Sequence, residues 1–549
     1  MASEKQPPET LKALFEASFA RYRARPAFTS MGVTLTYGEV DELSAAFGAC
    51  LRRRLALAAG ERVAIMLPNL LQYPVALIGA LRSGLTVVTV NPLYTPAELQ
   101  FQLADSGAAA VVVLENFAHT LEQALAGTRV RHVVTTQVGD LFPAAKRWAA
   151  NFVAKRVKRM VPAWRLPGAL SWRDAAAHPS RLAEVFVQAD DMAFLQYTGG
   201  TTGRPKGAIL THRNVAANVA QTVAWIGAAL AEGEETVITA LPLYHIFALT
   251  ANLLVFMKLG GRNVLIANPR DLAGLVSELK RTRFSAMTGV NTLYHALLHQ
   301  PGFAALDFSG LKLAIAGGMA LQREVAERWQ RTTGAPLIEG YGLTEASPNV
   351  CVNPVDARAF SGKLGLPLPS TEVAILDERG AELPRGEVGE ICVRGPQVMR
   401  GYWNAPEETA QAFFPGAWLR TGDLGRMDAA GYVEFVERRK DVIVVSGFKA
   451  YPSEIEQAAL LHPGVKDAGA AGVPDARSGE VVALYVVRRD PQLSAEALAE
   501  HCARYLAPYK RPKRIEFRDS LPKSPLGKVL HRELRAAATM PDALRAASQ

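Results

Sequence analysis

MAFLQYTGGTTGRPKGAIL, residues 192–210, is the stretch on which the reading of this chain turns. An apolar strand-like run enters a turn of glycines and threonines, and a second apolar run leaves it. Glycine permits positive φ and close backbone approach, and successive N–H groups in such a turn form a concavity that binds anions. Thr198, Gly199, Gly200, Thr201, Thr202 and Gly203 supply that turn, and Lys206 adds a point charge, so together they can cradle a triphosphate. The stretch is not the common P-loop, because Lys206 follows Pro205 and precedes Gly207 instead of standing between Gly and Ser or Thr. A plain Gly-Thr hairpin is the alternative when the segment is viewed alone.

Outward from this loop the chain keeps an α/β rhythm. Short β-branched runs such as RVAIMLP (62–68), LTVVTVNP (85–92), AAAVVVL (108–114), RHVVTT (131–136), LKLAIAGG (311–318) and EVAILD (372–377) alternate with helical patterns, without a fixed period. From 372 to 435 the pattern shifts to short strands broken by Gly, which predicts a small antiparallel or barrel-like subdomain. The charged cluster Glu437-Arg438-Arg439-Lys440-Asp441 follows and is read as the boundary of a separate C-terminal domain, with a plain charged surface turn as the alternative.

At 549 residues the chain exceeds one ordinary core, and ~150 residues per domain allows three or four compact units. A hydrophobic share of 49% with 21% charged residues predicts folded structure through most of the length. The net charge of +9 suits an anionic partner, and nucleotides, coenzyme A, acidic lipid and nucleic acid all qualify. Cys50, Cys351, Cys392 and Cys502 lie too far apart for a C-x-x-C site or a disulfide framework, so a reducing compartment fits best. No export signal is visible at the N-terminus. Residues 236–257 hold no Asp, Glu, Lys or Arg, which raises the question of a membrane span. Pro242, Tyr244, His245, Thr250 and Asn252 interrupt that segment, so a buried strand, a polar loop and a core helix explain it better.

Residues 141–173 carry eight basic side chains and no acidic one. On a helix, Trp148, Phe152, Val153, Val157, Met160, Val161 and Trp164 share one face, with Arg147, Asn151, Lys155, Lys158 and Arg159 mostly opposite. That pattern suits a helix on an anionic membrane surface through 146–165; a solvated basic face of a helix packed on the protein is the equal alternative.

YTGGTTGRPKGA resembles the signature of the adenylate-forming enzymes, a superfamily of acyl-CoA synthetases, aryl-CoA ligases, insect luciferases and peptide-synthetase adenylation domains. PLYHIFAL (242–249), YGLTEASP (341–348), WLRTGD (418–423), RRKDVIVVSGFKAYPSEIE (438–456) and LPKSPLGKVLHREL (521–534) resemble its further motifs, in order. Six ordered motifs over nearly the whole chain make coincidence negligible.

The resemblance implies an α/β fold: a large N-terminal domain of layered sheets with a small β-barrel-like subdomain (1–437), a hinge (438–441) and a smaller mobile α+β C-terminal domain (442–549). It implies that a carboxylate is first joined to AMP, with pyrophosphate expelled, and that a thiol then displaces AMP. Lys528 would bridge the carboxylate and the α-phosphate, where two anions must meet against their repulsion. Thr344 would donate to the α-phosphate, Tyr341 would lie against adenine, and Glu345 would hold Mg2+, with Thr198 beside the same ion. Asp423 would accept both ribose hydroxyls and Arg438 would donate to the same sugar. His245 would stand beside the acyl carboxylate, a satisfied core histidine being the alternative. Lys440 would be the hinge, and Ser446 and Gly447 would line the thiol channel.

The surroundings of the motifs resemble most the bacterial long-chain fatty acyl-CoA synthetases. The implied reactants are ATP, Mg2+, CoA and a long-chain fatty acid, in a cytoplasmic enzyme peripheral at the inner face of the plasma membrane, with no nucleic-acid partner. Medium-chain or aryl-CoA ligases and fatty acyl-AMP ligases are the rival readings, and oligomeric state is left open.

Overall fold

The computed structural model describes residues 10–176, 182–198, 205–445, 448–475, 478–523 and 529–539. The chain divides into two compact units, Met1–Glu372 with Val393–Leu419, and Val373–Cys392 with Arg420–Gln549.

The first unit realises the α/β rhythm as two sheets. In one, the strands Arg262–Leu265, Thr236–Thr239, Ala286–Gly289, Leu313–Ala316 and Leu337–Gly342 run parallel, and Asn349–Val352 turns back against the last. In the other, Arg62–Met66 lies between Thr86–Thr89 and Ala110–Leu114, and Met192–Thr198 joins parallel to Thr86–Thr89. The Ala110–Leu114 strand is buried along its whole length, which is why it reads as a continuous Val run instead of alternating. Helices cover the sheets and start on side-chain caps. Thr36 with Glu39, Thr95 with Glu98 and Thr211 with Asn214 each exchange hydrogen bonds with the other's backbone N–H, satisfying donors that a helix start leaves open. One core lies around Tyr294, Trp329 and Leu275 under the first sheet, and another around Leu99, Leu103 and Leu121 under the second.

In the second unit, Trp418–Met427 and Val433–Arg438 form an antiparallel pair, as the Gly-broken pattern predicts. A further sheet is built on Val465–Asp475 against Gly479–Arg488, with Arg514–Phe517 parallel to the latter. Its strands alternate between two small cores. Ala468, Ala470, Val482 and Leu484 meet Ile455 and Leu498 on one face, while Val473, Ala483 and Tyr485 meet Leu521 and Leu534 on the other.

The uncharged segment 236–257 is interior. It forms the strand Thr236–Thr239, a polar turn, the short helix Ile246–Ala248, a wide turn Leu249–Leu254 and the helix Val255–Lys258. Among the described residues no helix is long and apolar enough to cross a membrane. All four cysteines are free and buried.

The basic segment departs from the predicted continuous helix. The helix Ala144–Phe152 runs into a wide turn, Val153–Val157, and ends there; Arg159 takes a left-handed φ of 49°. Pro162 disfavours helix in the residue before it, so the chain leaves the helix ahead of Val161. Trp164 therefore does not share the face of Trp148 and Phe152, but packs against the core around Leu166 and Leu121.

Candidate active site

Thr198 ends one strand and Lys206 begins the next, paired directly across an antiparallel hairpin. Gly199, Gly200, Thr201, Thr202 and Gly203 lie between them, outside the described residues. At Gly207 space is tight: a Cβ there would stand 3.2 Å from the Tyr197 ring.

Lys206 Nζ lies 5.4 Å from the centre of the Tyr402 ring and 4.0 Å from Glu408 Oε1. The strand Gly401–Tyr402 pairs with Lys206–Thr211 and places that ring. The Tyr402 hydroxyl donates to Glu345 Oε1 at 2.8 Å. Tyr402 thus joins the glycine-rich loop's lysine to the YGLTE motif, 139 positions apart in sequence (345 − 206). Burial, then the charge and hydrogen bond of Glu345, push the Tyr402 phenol well above its ordinary value, so it stays a neutral donor. Neither Tyr402 nor Glu408 was expected at the site. Tyr402 stands in RGPQVMRGYW, beside the Gly401 whose φ of 152° marks an unusual backbone, and nothing else in sequence signals it.

Tyr341, Thr344 and Glu345 come from the carboxyl end of the strand Leu337–Gly342 and the single turn Thr344–Ala346 that follows. That end of a parallel sheet is where α/β proteins hold ligands. Tyr341 pairs with Cys351 across the antiparallel neighbour. At Gly342 only hydrogen fits, because a Cβ would lie 2.0 Å from the carbonyl of Pro348. The backbone of Glu345 is fixed as well, its carbonyl accepting from Met399 N–H at 2.7 Å.

A cavity opens beside these residues. His245, Gly317, Gly340, Tyr341 and Thr344 line it at the strands' carboxyl ends, and Ile226, Phe256, Ala286, Met287 and Leu313 line it further back along the strands. Thr222, Trp225 and Ile226 reach it from one face of the helix His212–Ile226, at helical spacing. Its wall is mostly apolar, with the hydroxyls of Thr222, Thr288 and Thr344, the Asn349 amide and the His245 imidazole among its polar groups. His245 Nδ1 accepts from Phe247 N–H at 3.4 Å, which leaves the neutral ring's proton on Nε2. Burial holds this imidazole below its usual value, so near neutral pH it is an uncharged donor.

In the second unit Asp423 is buried, and Arg438 Nε lies 3.2 Å from its Oδ1 across a directly paired register. The flanking turn is held by Glu390, which accepts from Gly422 N–H at 3.1 Å and pairs with Arg420 at 2.8 Å. Lys440 is exposed, and its carbonyl accepts from Arg535 at 3.4 Å. Beside it Asp441 meets His531 Nδ1 at 3.3 Å, and His531 Nε2 meets Glu456 at 2.7 Å. Burial alone would lower this imidazole's affinity for a proton, but hydrogen bonds and charge from Asp441 and Glu456 outweigh it and push the value up to about 10. His531 was not expected; nothing in HREL marks it, since its partners stand 90 and 75 positions away. Ser446, Gly447 and Lys528 lie outside the described residues.

One carboxylate with hydroxyls nearby suits Mg2+, which keeps much of its water and takes phosphate oxygens. Among the described residues no cluster of three His, Cys, Asp or Glu forms a self-sufficient metal cage. Glu345 is such a carboxylate, its Oε1 already accepting from the Tyr402 hydroxyl.

Comparison with known proteins shows the family and the fold. Residues 15–403 match the family described as AMP-binding enzyme, and residues 454–528 match the AMP-binding enzyme C-terminal domain. A long-chain-fatty-acid–CoA ligase of Salmonella typhimurium is 54% identical over 529 residues, covering 96% of this chain and 94% of that one. A 4-coumarate–CoA ligase of Oryza sativa subsp. japonica is 32% identical over 551 residues, covering 98% and 94%. Among solved structures, an anthranilate CoA ligase in complex with anthranoyl-AMP superposes with a TM-score of 0.84 at 25% identity, covering 100% of both chains.

Proposed function

The chain belongs to the AMP-binding enzyme family, and we propose that it activates long-chain fatty acids to acyl-CoA through an acyl-adenylate. The observation that carries the choice of acid is the cavity, whose wall is mostly apolar, built from Ile226, Phe247, Phe256, Met287, Leu313 and Val352. Such a wall favours an extended hydrocarbon over a compact polar acid, because each buried methylene gains about 0.8 kcal/mol. The higher identity to a long-chain ligase than to a coumarate ligase supports the same choice.

In the first step the acid's carboxylate oxygen attacks the α-phosphorus of ATP, forming the mixed anhydride and breaking the bond to pyrophosphate. Thr198 to Gly203 with Lys206 hold the departing phosphates, Thr344 donates to the α-phosphate, and Tyr341 supports adenine. Glu345, oriented by the Tyr402 hydroxyl, and Thr198 would hold Mg2+, which when bound neutralises phosphate charge. His245 donates from Nε2 to the acyl carboxylate without adding a charge. Lys528 offsets the repulsion of the two reacting anions. In the second step the sulfur of CoA attacks the acyl carbonyl and AMP leaves with the bonding pair. Asp423 and Arg438 take the ribose hydroxyls. We assign the hinge to Lys440 within 438–441, between domains at 1–437 and 442–549, and the thiol channel to Ser446 and Gly447. The ties of Asp441 to His531 and of Lys440 to Arg535 support a hinge coupled to the segment that carries Lys528. On this reading the enzyme works in the cytoplasm, peripheral to the plasma membrane's inner face, in contact with anionic lipid through 146–165.

The test is a panel of acids from hexanoate to stearate, with benzoate, assayed for AMP, pyrophosphate and acyl-CoA. Turnover that rises toward palmitate supports the proposal; turnover of benzoate alone overturns it in favour of an aryl-CoA ligase. Lys528→Ala is expected to slow adenylation by about a hundredfold or more while sparing thioester formation from supplied acyl-AMP. Equal loss in both halves would contradict its role.

A further inference from the structure

The helix Ala144–Phe152 is packed the wrong way round for a surface helix. Its polar side faces the protein: Asn151 Oδ1 accepts from Gly139 N–H at 2.8 Å, and its amide donates to Gln137 at 2.7 Å. Lys146 reaches back to the carbonyl of Met31 at 2.5 Å. The apolar side faces outward, with Trp148 68% exposed and stacked on Phe152 at 5.2 Å between ring centres. Val157, Met160 and Met31 continue the same exposed character at either end. A helix of a water-soluble protein normally buries this stripe.

Cations flank the aromatic pair. Lys155, Arg156, Lys158 and Arg159 are exposed, and residues 141–173 contain no Asp or Glu. Of these, Lys155 Nζ lies 3.8 Å from Glu115 Oε2. Large apolar side chains ringed by cations, on a helix held to the protein only by its polar side, match the chemistry of an anionic lipid surface, where rings enter the acyl boundary and ammonium and guanidinium groups meet phosphates. A protein partner would have to supply an acidic collar around an apolar pocket; a bilayer offers both at once.

We propose that Trp148, Phe152, Val157 and Met160, with Arg156 and Lys158, form the face on which this protein docks on anionic membrane. This deepens the reading of an enzyme that meets its acid at a membrane, and rests on that reading only for the benefit docking brings. The face lies parallel to the bilayer and does not span it. The chemistry common to lipid phosphate and free phosphate is not enough here, because free phosphate gives the rings nothing to enter.

The full-length protein is sedimented with vesicles of phosphatidylcholine alone, and of two parts phosphatidylcholine to one part phosphatidylglycerol. Binding to the anionic vesicles about tenfold tighter or more, weakened by salt, is expected. Trp148→Glu with Phe152→Glu should reduce binding by about a hundredfold, and Arg156→Gln or Lys158→Gln by roughly fivefold each, with unchanged melting temperature. No binding by the parent protein, equal binding to both vesicles, or variants that bind like the parent would each overturn the proposal. So would a parent that ignores vesicles and runs as a larger species which Trp148→Glu returns to monomer, the result for a protein interface. Palmitate turnover in detergent is measured alongside. If it is absent while vesicle binding holds, the synthetase reading fails and the docking face stands; if it is present without vesicle binding, the reverse is true.

Discussion

Two stretches of this chain invite a membrane reading, and they behave in opposite ways. Residues 236–257 contain no charged side chain and are packed inside the first unit, with Leu253 0% and Phe256 1% exposed. Residues 144–160 carry six cations and leave their aromatic side chains outside. The more hydrophobic stretch is core, and the more charged one is the surface that still has apolar area to bury. The difference lies in what surrounds each. Thr236–Thr239 sits between two parallel strands that complete its backbone hydrogen bonds, and it is buried along its whole length. The helix Ala144–Phe152 is anchored through Asn151, and among the described residues its other side stays exposed at Trp148 and Phe152.

The widest split between the two should come from an introduced charge. Leu253→Asp buries a carboxylate without a partner and is expected to cost more than about 5 kcal/mol, leaving no cooperatively folded protein. Val157→Asp should change stability by less than about 0.5 kcal/mol. Calorimetric melting of both variants decides the matter, and a Val157→Asp protein that also fails to fold would erase the contrast. Truncation gives a smaller gap. Phe256→Ala should cost about 3–5 kcal/mol through lost transfer energy and a cavity, and Phe152→Ala almost nothing, read from urea midpoints.

A third test asks whether the polar residues that broke up the buried stretch are satisfied. Asn252 donates to the carbonyl of Ile238 and to Thr239 Oγ1, and accepts from Thr288 at 2.7 Å. Asn252→Leu should cost about 2 kcal/mol by stranding those partners. A neutral result would show that the network contributes nothing net.

The smallest effect is a matter of pH. Burial holds the His245 imidazole below its ordinary value, so the unfolded chain takes up a proton first as pH falls. The stability contribution is complete above about pH 6.5 and declines as pH drops from there toward the folded value. His245→Gln should flatten that acid limb in a stability profile. The basic helix has no group that titrates in this range, since 141–173 holds no His, Asp or Glu, and its variants should leave the profile unchanged.

Much of the candidate site was legible because the groups proposed for it come in short runs. Tyr341, Thr344 and Glu345 share one strand end and one turn, and Thr198 and Lys206 share one hairpin, so local order in the chain is local order in space. Tyr402 and His531 escaped notice for the opposite reason. Each acts on a group far away in sequence, Glu345 for one and Asp441 with Glu456 for the other, and a lone Tyr or His carries no periodic or motif signal. The basic segment was half legible. Its cations and rings were plain, yet the end of the helix before Val161 and the inward turn of Trp164 depend on Pro162 and on a core that only the folded chain presents.

What the amino-acid sequence determined by itself was the family and the α/β layering, together with the motifs proposed to handle adenylate, because motif spacing and strand composition are properties of neighbouring residues. What the tertiary structure decided was which apolar surface is interior. Burial is settled by whatever packs against a side chain, and for 236–257 that is two strands and a helix. For 144–160 the described residues meet the polar side and leave Trp148 and Phe152 exposed.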